Sequence, residues 1–575
     1  NMEPIIEFCD YSFKYRAQKE PTLKEINLKI YPGEKVLIVG PSGSGKSTLA
    51  HCLNGLVPFS YPGESSGSLK IKGKDPKEEG IFGMSKLVGT VLQDTDGQFI
   101  GLTVAEDIAF SLENECTDQK EMVQRVNETA RELDLEKLLD HAPGELSGGQ
   151  KQRVSMAGVM IDRVEILLFD EPLANLDPAS GKRTIDLIDR IQKNDHTTIV
   201  IIEHRLEDVL YRDVDRIVVV GDGKIVADMT PDALLAASVL EKEGIREPLY
   251  LTACKYMGIP VTEERKPQHV ESFDLAGMEE KAQQWYQKTA WVPRQTDAEE
   301  LLEVKKVSFG YTEGQQVLRN VSLRVKKGEM LSIVGKNGAG KSTLSSLICG
   351  FLQTADGSIC YRGFDMKNWS IKERGEKIGF VMQSPNQMIS KAMIFDEVAL
   401  GLVIRQVPEE EIKERVHHAL KICGLYEMRN WPVSALSFGQ KKRVTIASIL
   451  VMEPEMIILD EPTAGQDYRH YTEIMEFLKK LNQESGITIM MITHDMHLML
   501  EYTDRAIVLA DGQILTDDTP AAILTDEHLA EQANLKKTSL YDLAVKCGIT
   551  DASGFVERFI QYDRKEREHV QNSEI

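Results

Sequence analysis

The chain has 575 residues, a formal net charge of −22 and a sequence pI of about 5.2. This length exceeds what one hydrophobic core usually supports, so we expect at least two domains. The acidic balance argues against a protein that binds nucleic acid by neutralising phosphates, and no apolar run approaches the roughly 18 residues of a membrane-spanning helix.

Self-similarity along the chain predicts a duplicated domain of about 250 residues. The stretch "GPSGSGKST" recurs as "GKNGAGKST", and "LSGGQKQRV" recurs as "LSFGQKKRV", in the same order. We therefore predict a first domain over residues 2–259, a linker over 260–298, a second domain over 299–550 and a helical tail over 551–575. The eight cysteines form no CxxC pair and no Cys/His metal spacing, which is typical of reduced thiols in a cytosolic protein.

The first chemical motif in each copy is a phosphate-binding loop. The apolar runs "KVLIV" and "MLSIV" predict strands, and each is followed by G-x-x-x-x-G-K-[ST] and a helical stretch. Glycines let backbone N–H groups surround phosphates at a helix N-terminus. We expect Lys46 and Lys341 to reach the β- and γ-phosphates. The candidate loop residues are Gly40, Ser42, Gly43, Gly45, Lys46, Ser47 and Thr48, and Gly335, Asn337, Gly338, Gly340, Lys341, Ser342 and Thr343.

Further along each copy, an apolar strand ends in two acids, in "EILLFDEP" and in "MIILDEP". Acids at the carboxyl end of a buried strand face the phosphate site of a doubly wound sheet. We expect Asp170 and Asp460 to hold Mg²⁺ together with Ser47 and Ser342. We expect Glu171 and Glu461 to polarise the attacking water.

The order of these motifs in both copies resembles the ATP-binding cassette (ABC) ATPases. The motifs that carry this resemblance are the phosphate loop, "LSGGQ" or "LSFGQ", the strand ending in "DEP", and the His of "IIEHR" or "MITHD". The resemblance implies an α/β fold with two tandem cassettes. Each would have a P-loop NTPase core, a helical subdomain and an antiparallel β edge. It also implies ATP and Mg²⁺ as ligands.

The resemblance further implies roles for residues that their spacing alone does not assign. His204 and His494 match the switch His at the γ-phosphate, and Tyr15 and Tyr311 match the aromatic that stacks on adenine. Gln93 and Gln383 match the Gln that links Mg²⁺ to a transmembrane partner. The signature residues are Ser147, Gly149 and Gln150, and Ser437, Gly439 and Gln440.

The same resemblance implies that the two cassettes face each other head to tail within one chain. Each ATP would then lie between the phosphate loop of one cassette and the signature of the other. Lys46 would share a site with Ser437 and Gly439, and Lys341 would share a site with Ser147 and Gly149. One chain would thereby complete both of its own ATP sites.

The stretch "VLQDTDGQFIGLTVAEDIAFSLEN" resembles the energy-coupling factor (ECF) importers, as does "TAGQD" in the second copy. That group implies a transmembrane coupling protein and a small membrane substrate-binding protein as partners. It implies a peripheral position at the cytoplasmic face of the cell membrane. The cargo would be a vitamin, such as thiamine or its hydroxymethylpyrimidine precursor, or a transition metal.

Two other functions remain open from the sequence. A soluble tandem-cassette translation factor would carry a long basic helical linker, whereas the segment between the copies here is balanced in charge. A tandem-cassette sugar importer often has one weakened hydrolytic centre, whereas both Glu171 and Glu461 are present. We expect no nucleic-acid partner.

Phe438 stands where the first copy has Gly148. We expect that a Phe restricts the backbone there because, unlike Gly, it does not readily take φ > 0. Since Ser437 and Gly439 are kept, we also expect both ATP sites to be active. Two alternatives stay open: the middle position is permissive, or the Phe438 ring makes the site of Lys46 and Ser437 slower than that of Lys341 and Ser147.

Overall fold

Short runs of β-branched and aliphatic residues build the central sheet in each half of the chain. The computed structural model describes residues 2–92, 99–293 and 298–574. The runs "KVLIV", "TIVII" and "MLSIV" are buried along their whole length, as strands covered on both faces must be. The chain divides into two units. The first is Asn1–Trp285 with Asp467–Arg469 and Lys546–Gly548, and the second is Tyr286–Gln466 with His470–Val545 and Ile549–Ile575.

The strands of the first half are Ile6–Tyr15 (β1), Leu23–Ile30 (β2), Lys35–Val39 (β3), Gly63–Ile71 (β4), Val88–Val91 (β5), Ile166–Asp170 (β6), Thr198–Ile202 (β7), Arg216–Gly221 (β8) and Lys224–Met229 (β9). Its helices are Lys46–Leu53 (α1), Leu56–Phe59 (α2), Pro76–Ser85 (α3), Val104–Asn114 (α4), Gln119–Glu132 (α5), Gly148–Met160 (α6), Pro178–Asp195 (α7), Leu206–Val209 (α8), Pro231–Ala236 (α9), Val239–Lys242 (α10), Leu249–Tyr256 (α11) and Glu279–Lys288 (α12).

The strands of the second half are Glu300–Phe309 (β10), Leu318–Lys326 (β11), Met330–Val334 (β12), Asp356–Tyr361 (β13), Phe364–Asp365 (β14), Ile378–Val381 (β15), Met456–Asp460 (β16), Thr488–Ile492 (β17), Arg505–Ala510 (β18) and Gln513–Asp518 (β19). Its helices are Lys341–Cys349 (α13), Ile371–Lys377 (α14), Pro385–Met388 (α15), Ile394–Ile404 (α16), Glu409–Ile422 (α17), Phe438–Leu450 (α18), Tyr468–Ser485 (α19), Met496–Tyr502 (α20), Pro520–Leu524 (α21), Glu527–Gln532 (α22), Ser539–Lys546 (α23) and Ala552–Ser573 (α24).

The two halves repeat one topology. The main sheets run β5-β6-β7-β3-β8-β9 and β15-β16-β17-β12-β18-β19, and each is parallel except for its last strand. Separate antiparallel sheets run β2-β1-β4 and β11-β10-β13-β14. Helices α4 to α6 and α16 to α18 lie in the chain between the first two strands of each main sheet. This arrangement confirms the expected α/β fold with two cassettes, each having a helical part and an antiparallel β part.

The core of each half lies where its antiparallel sheet packs against its main sheet and the first helix. In the first half, Phe8 and Phe13 from β1 join Val36 and Ile38 from β3 and Leu49 from α1. The equivalent cluster of the second half brings together β10, β12 and α13. The helix that follows each phosphate loop is therefore fixed by burial.

The segment after α11 packs within the first unit. The Tyr250 hydroxyl donates to the carbonyls of Pro267 and Gln268, at 2.5 and 3.0 Å, and Phe273 is fully buried. Within the second unit, the Tyr286 hydroxyl donates to Asp551 at 2.6 Å, next to the start of α24. Burial and hydrogen bonds of this kind are typical of ordered chain rather than a flexible tether.

Candidate active sites

In the first half, the phosphate loop joins β3 to α1, as the sequence predicts. Lys46 is 7% exposed, and its Nζ donates to the Gly40 carbonyl at 2.9 Å across the loop. Gly45 has φ of 103°, which glycine adopts at little cost. A Cβ at Gly40 would lie 2.4 Å from the Val220 carbonyl oxygen, so only glycine fits there. Exposed Ser42 and Ser47 border the open side of the loop.

The phosphate loop of the second half has the same geometry. Lys341 donates to the Gly335 carbonyl at 2.6 Å and is 7% exposed. Gly340, with φ of 104°, leads into α13, and a Cβ at Gly335 would lie 2.3 Å from the Leu509 carbonyl oxygen. Ser342 is exposed, like its counterpart in the first half. Both loops therefore present exposed hydroxyls beside a lysine whose Nζ is held at the loop's own backbone.

The two acids lie at the carboxyl ends of β6 and β16. In each sheet, one strand, β7 or β17, separates this strand from the one that leads into the phosphate loop. Glu171 and Glu461 have φ of 47° and 43°, in the left-handed region that non-glycine residues rarely adopt. Their backbone N–H groups donate to Ile202 and Ile492, each at 2.8 Å. Such backbone geometry costs free energy and is typical of functional sites.

Burial and neighbouring charges set the acidity of the site. Burial, with the nearby charges of Glu171 and Glu203, raises the pKa of Asp170 to about 6, and Lys46 opposes this rise. Burial also raises the pKa of Asp460. Each aspartate is close enough to the lysine of its phosphate loop, Lys46 or Lys341, for their charges to interact. Carboxylate and hydroxyl oxygens are the kind of ligand that a hard cation such as Mg²⁺ prefers. Asp170 with Ser47 and Asp460 with Ser342 thus fit the donor set expected of the sequence.

The paired glutamates differ between the halves. Burial opposes ionisation of Glu171, but the hydrogen bond and charge of His204 outweigh it and lower the pKa of Glu171. Burial raises the pKa of Glu461 to about 8, with Asp460 and Asp495 adding to the rise. Two copies of one motif therefore sit in different electrostatic surroundings.

Each predicted histidine lies beside the glutamate of its own half. His204 Nδ1 is 3.5 Å from Glu171 Oε1, and His494 Nε2 is 3.5 Å from Glu461 Oε1. Burial lowers the pKa of His204, but the carboxylates of Glu171 and Glu203 outweigh this and raise it. The structure thus brings together the lysine, the two acids and the histidine of each motif set.

Tyr15 is the last residue of β1, and Tyr311 follows the end of β10 by two residues. The Tyr15 hydroxyl is 2.7 Å from Thr48 Oγ1, and the Tyr311 hydroxyl is 3.1 Å from Thr343 Oγ1. Tyr311 is 62% exposed, so its ring is accessible to a ligand. These contacts link each tyrosine to the helix that follows the phosphate loop.

We expect Tyr15→Ala and Tyr311→Ala each to raise the KM for ATP several-fold and to leave kcat nearly unchanged. The reason is that stacking on a base is worth roughly 1–3 kcal/mol and is lost with the ring. Tyr15→Phe is the matched control, since it keeps the ring and removes only the bond to Thr48. ATP affinities measured by equilibrium titration would contradict the stacking role if the Phe variant bound as weakly as the Ala variant.

The signature residues form helix caps that the sequence analysis did not foresee. The Ser147 hydroxyl accepts from the Gln150 N–H at 3.2 Å, and the Gln150 side chain accepts from the Ser147 N–H at 2.9 Å. Ser437 and Gln440 make the same reciprocal bonds at the start of α18, at 3.3 and 3.0 Å. The spacing S-x-x-Q is itself the signal of such a capping box. The box fixes a helix N-terminus whose free N–H groups favour an anion.

The backbone restriction expected of Phe438 has no consequence in the structure, because this position does not use a positive φ in either half. Gly148, Gly149 and Gly439 are helical and have no positive φ, because they form the first turn of their helices. A Cβ at Gly148 would come no closer than 3.8 Å to Leu176. Phe438 is 43% exposed and needs no unusual backbone.

Accordingly, we expect Phe438→Gly to change ATPase activity by less than about five-fold, or about 1 kcal/mol in the barrier. Turnover in a Glu461→Gln background measures the site that depends on Lys46 and Glu171. The reciprocal variant Gly148→Phe should be equally mild. Activation of a silent site by Phe438→Gly would instead mark this phenylalanine as disabling.

Two buried side chains near the sites were missed by the sequence analysis. Lys442 is 1% exposed, and its Nζ donates to the carbonyls of Met382 and Gln383 at 2.6 and 3.0 Å, which fixes the backbone at Gln383. Glu203, directly before His204, is fully buried. Glu203 directly follows the apolar run "TIVII", which is its sequence signal, whereas Lys442 stands among other charged residues in "QKKRV" and has none. Gln93 lies outside the described residues.

An apolar segment leads into α4 in the first half. Ile100 is 66% exposed and Leu102 is 81% exposed, while Phe99 is half-buried. The backbone of the segment is held by Asp107, whose carboxylate accepts from the N–H groups of Ile100 and Gly101 at 2.8 and 3.1 Å. Exposed apolar side chains on a fixed backbone are typical of a protein-binding surface.

Two family models and several individual proteins match this chain. A family model described as "ABC transporter" matches residues 23–174 and 318–464, and one described as "ATP-binding cassette cobalt transporter" matches residues 237–309.

An ABC transporter ATP-binding protein of Clostridium perfringens is 58% identical over 563 residues, covering 98% of this chain and 99% of its own. One of Enterococcus faecalis is 58% identical over 566 residues, with the same coverage. The solved structure of cbiO1 from Clostridium perfringens, described as part of the ABC transporter complex cbiONQ, is 36% identical, covers 43% of this chain and 100% of its own, and has a TM-score of 0.39.

Proposed function

Because this chain belongs to the ABC transporter family of ATP-hydrolysing proteins, we propose that it is the energy-coupling subunit of an ECF-type membrane importer. The observation that carries the proposal is the presence in both halves of a buried lysine, a strand-end Asp-Glu pair and an adjacent histidine. Two such sets in one chain suit a subunit that supplies both ATP sites itself. The ECF-like stretch before α4 supplies the assignment to that group.

In the proposed mechanism, each phosphate loop binds the phosphates of ATP through its backbone N–H groups and its lysine. Glu171, and Glu461 in its ionised form, accept a proton from the attacking water, and His204 and His494 hold the γ-phosphate. Tyr15 and Tyr311 stack on adenine. The helix N-termini at Ser147 and Ser437 dock the γ-phosphate in the closed state.

Mg²⁺ would be held by Ser47 and Asp170 in one set and by Ser342 and Asp460 in the other, with Gln93 and Gln383 as further ligands. When bound, the ion neutralises charge on the β- and γ-phosphates. ATP binding would favour the closed arrangement of a head-to-tail pair of cassettes, and hydrolysis would reopen it. Binding energy performs this work only because the two states differ in affinity for ATP.

The described part of the chain contains no helix with the length and hydropathy of a membrane span. From the resemblance to the ECF group we propose that transport occurs through separate membrane proteins, namely a coupling protein and a small substrate-binding protein. The chain would sit peripherally at the cytoplasmic face. The exposed apolar residues Ile100 and Leu102 are our candidate contact with the coupling protein.

Of the two cargo classes, a transition metal is favoured by the "cobalt transporter" description of the model that matches residues 237–309. A vitamin such as thiamine or its precursor is the second candidate, which the resemblance to fused-pair ECF subunits favours. The cargo itself would be recognised by the separate substrate-binding protein, so no residue of this chain is assigned to it.

Affinity purification of the tagged full chain from solubilised membranes tests the proposal. We expect small hydrophobic membrane proteins to co-purify, and mass spectrometry would identify them. Uptake of radioactive Co²⁺ and of thiamine by cells that express the complex would then separate the cargo classes. Recovery of ribosomes in place of membrane proteins would overturn the proposal in favour of a translation factor.

A further inference from the structure

Glu203 is a fully buried acid in the middle of the first cassette. It follows β7 directly, and its N–H donates to the Ile38 carbonyl at 3.2 Å. A carboxylate removed from water is costly unless its oxygens find hydrogen-bond donors. The hydrogen-bond donors to Glu203 therefore indicate which parts of the site its side chain connects.

Both carboxylate oxygens of Glu203 are used, and they reach two different parts of the site. Oε2 accepts from the Leu173 N–H at 3.2 Å, and Leu173 lies two residues after Glu171. Oε1 accepts from the His204 N–H at 3.0 Å. One side chain thus ties the loop that follows the strand-end glutamate to the residue that carries the imidazole.

The same oxygen also faces the imidazole ring. His204 Nδ1 is 3.4 Å from Glu203 Oε1 and 3.5 Å from Glu171 Oε1. A ring nitrogen between two carboxylates is the one that carries the hydrogen, because a carboxylate only accepts. The hydrogen bond at one nitrogen sets the role of the other, so Nε2 remains for a ligand.

The second cassette is connected differently at the equivalent positions. Thr493 replaces Glu203, and its hydroxyl donates to Glu461 Oε2 at 3.4 Å. The loop after Glu461 is held through the Thr463 hydroxyl, which donates to Asp495 at 3.4 Å. The imidazole faces its glutamate with Nε2 instead of Nδ1.

We propose that Glu203 is a positioning residue for the first ATP site, where it holds the His204 ring with Nδ1 toward the carboxylates. The bond from the Leu173 N–H keeps the Glu203 carboxylate itself in place for this. This inference rests on the proposed roles of Glu171 and His204. It adds that the two ATP sites are built unequally. The first site has the buried Glu203 directly before its histidine, where the second has Thr493.

The consequence concerns turnover more than ATP affinity. A correctly oriented Nε2 matters when charge develops on the γ-phosphate, whereas adenine and the α- and β-phosphates are bound elsewhere. Glu203→Gln keeps the shape of the side chain but puts an amide donor or a neutral acceptor at Nδ1. The orientation of the ring is then no longer set by two carboxylates.

The test measures single-turnover hydrolysis of ATP with excess full-length protein in a Glu461→Gln background, in which only the site of Glu171 can react. Into this parent are introduced His204→Ala, Glu203→Gln and both together. Each variant is followed over a range of protein concentration, which separates the maximal rate from the half-saturating concentration. If Glu203→Gln does not fold, Glu203→Thr installs the residue of the second cassette instead.

We expect Glu203→Gln to lower the maximal rate about ten-fold and to change the half-saturating concentration less than two-fold. We expect the double variant to be no slower than His204→Ala, because Glu203 acts through the histidine. Rates equal to the parent, or losses that multiply in the double variant, would overturn the inference, since independent sites give additive free energies. A parent without hydrolysis, or a His204→Ala variant at the parent rate, would instead contradict the proposed catalytic roles and the inference with them.

Discussion

Replacing Glu171 and Glu461 together by Gln should leave a protein that binds ATP but hydrolyses it at least about 100-fold more slowly. The expected factor is the scale on which a positioned general base contributes to a rate. Each glutamate ends a buried strand, has its backbone N–H fixed at 2.8 Å to the neighbouring strand and lies next to the histidine of its half. Gln preserves this placement and removes only the ability to accept a proton. Steady-state release of phosphate and equilibrium binding of ATP measure the two effects.

Glu165→Gln together with Glu455→Gln is the matched control. These residues immediately precede the same two strands at their opposite ends. Glu455 pairs with Arg362 at 2.7 Å, and Glu165 pairs with Lys72, so both glutamates form ion pairs away from the ATP sites. We expect the control to retain ATPase activity within about two-fold, as exposed ion pairs contribute little. Wild-type activity in the Glu171/Glu461 double variant would contradict the assignment of the base.

The motifs that could be read from the sequence are those with short-range geometry. A strand, a glycine-rich loop and a helix follow one another within a few residues, so the position of Lys46 at the helix start was predictable. The acids at the ends of β6 and β16 were predictable because a parallel sheet places its carboxyl ends together. The topology of the two halves followed once the duplication was recognised.

Other features depend on contacts that sequence spacing does not specify. The capping boxes at Ser147 and Ser437 were visible as S-x-x-Q, but that pattern was read only for its likeness to a family. The left-handed backbone of Glu171 and Glu461 is imposed by the neighbouring strand rather than by a glycine. The bond from Leu173 to Glu203 joins residues 30 positions apart and was accessible only from the folded chain.

The duplicated halves also show why one copy is a poor guide to the other. Gly148 and Phe438 differ greatly in size, but each is the first residue of its helix, where the backbone is ordinary and a side chain can reach solvent. Glu203 and Thr493 differ less in size, yet they give different hydrogen bonds around the two histidines. The chemical consequence of a substitution therefore follows from its contacts and not from how unlike the two residues are.

Changing Ile100 and Leu102 together to Asp should reduce the affinity for the membrane coupling protein on the order of 100-fold and leave basal ATPase activity within about two-fold. Burying an exposed Leu or Ile side chain at an interface contributes about 1.5–3 kcal/mol, and two such side chains account for this factor. The introduced carboxylates would also have to be buried without partners. The residues are 66% and 81% exposed, so the fold does not depend on them. Co-purification from membranes and binding to the isolated coupling protein measure the loss.

A backbone held by hydrogen bonds makes this segment a better candidate than other exposed apolar residues. Asp107 and Glu106 accept from consecutive backbone N–H groups of the segment, the latter from Leu102 at 3.0 Å, so little ordering is required on binding. Val570→Asp on α24 is the control, since it also replaces an exposed apolar side chain by a carboxylate, at a residue that is 55% exposed. It should co-purify with the coupling protein as the wild type does. If the Ile100/Leu102 variant remains associated with the membrane partner while Val570→Asp is released, the contact lies on the C-terminal helix and not before α4.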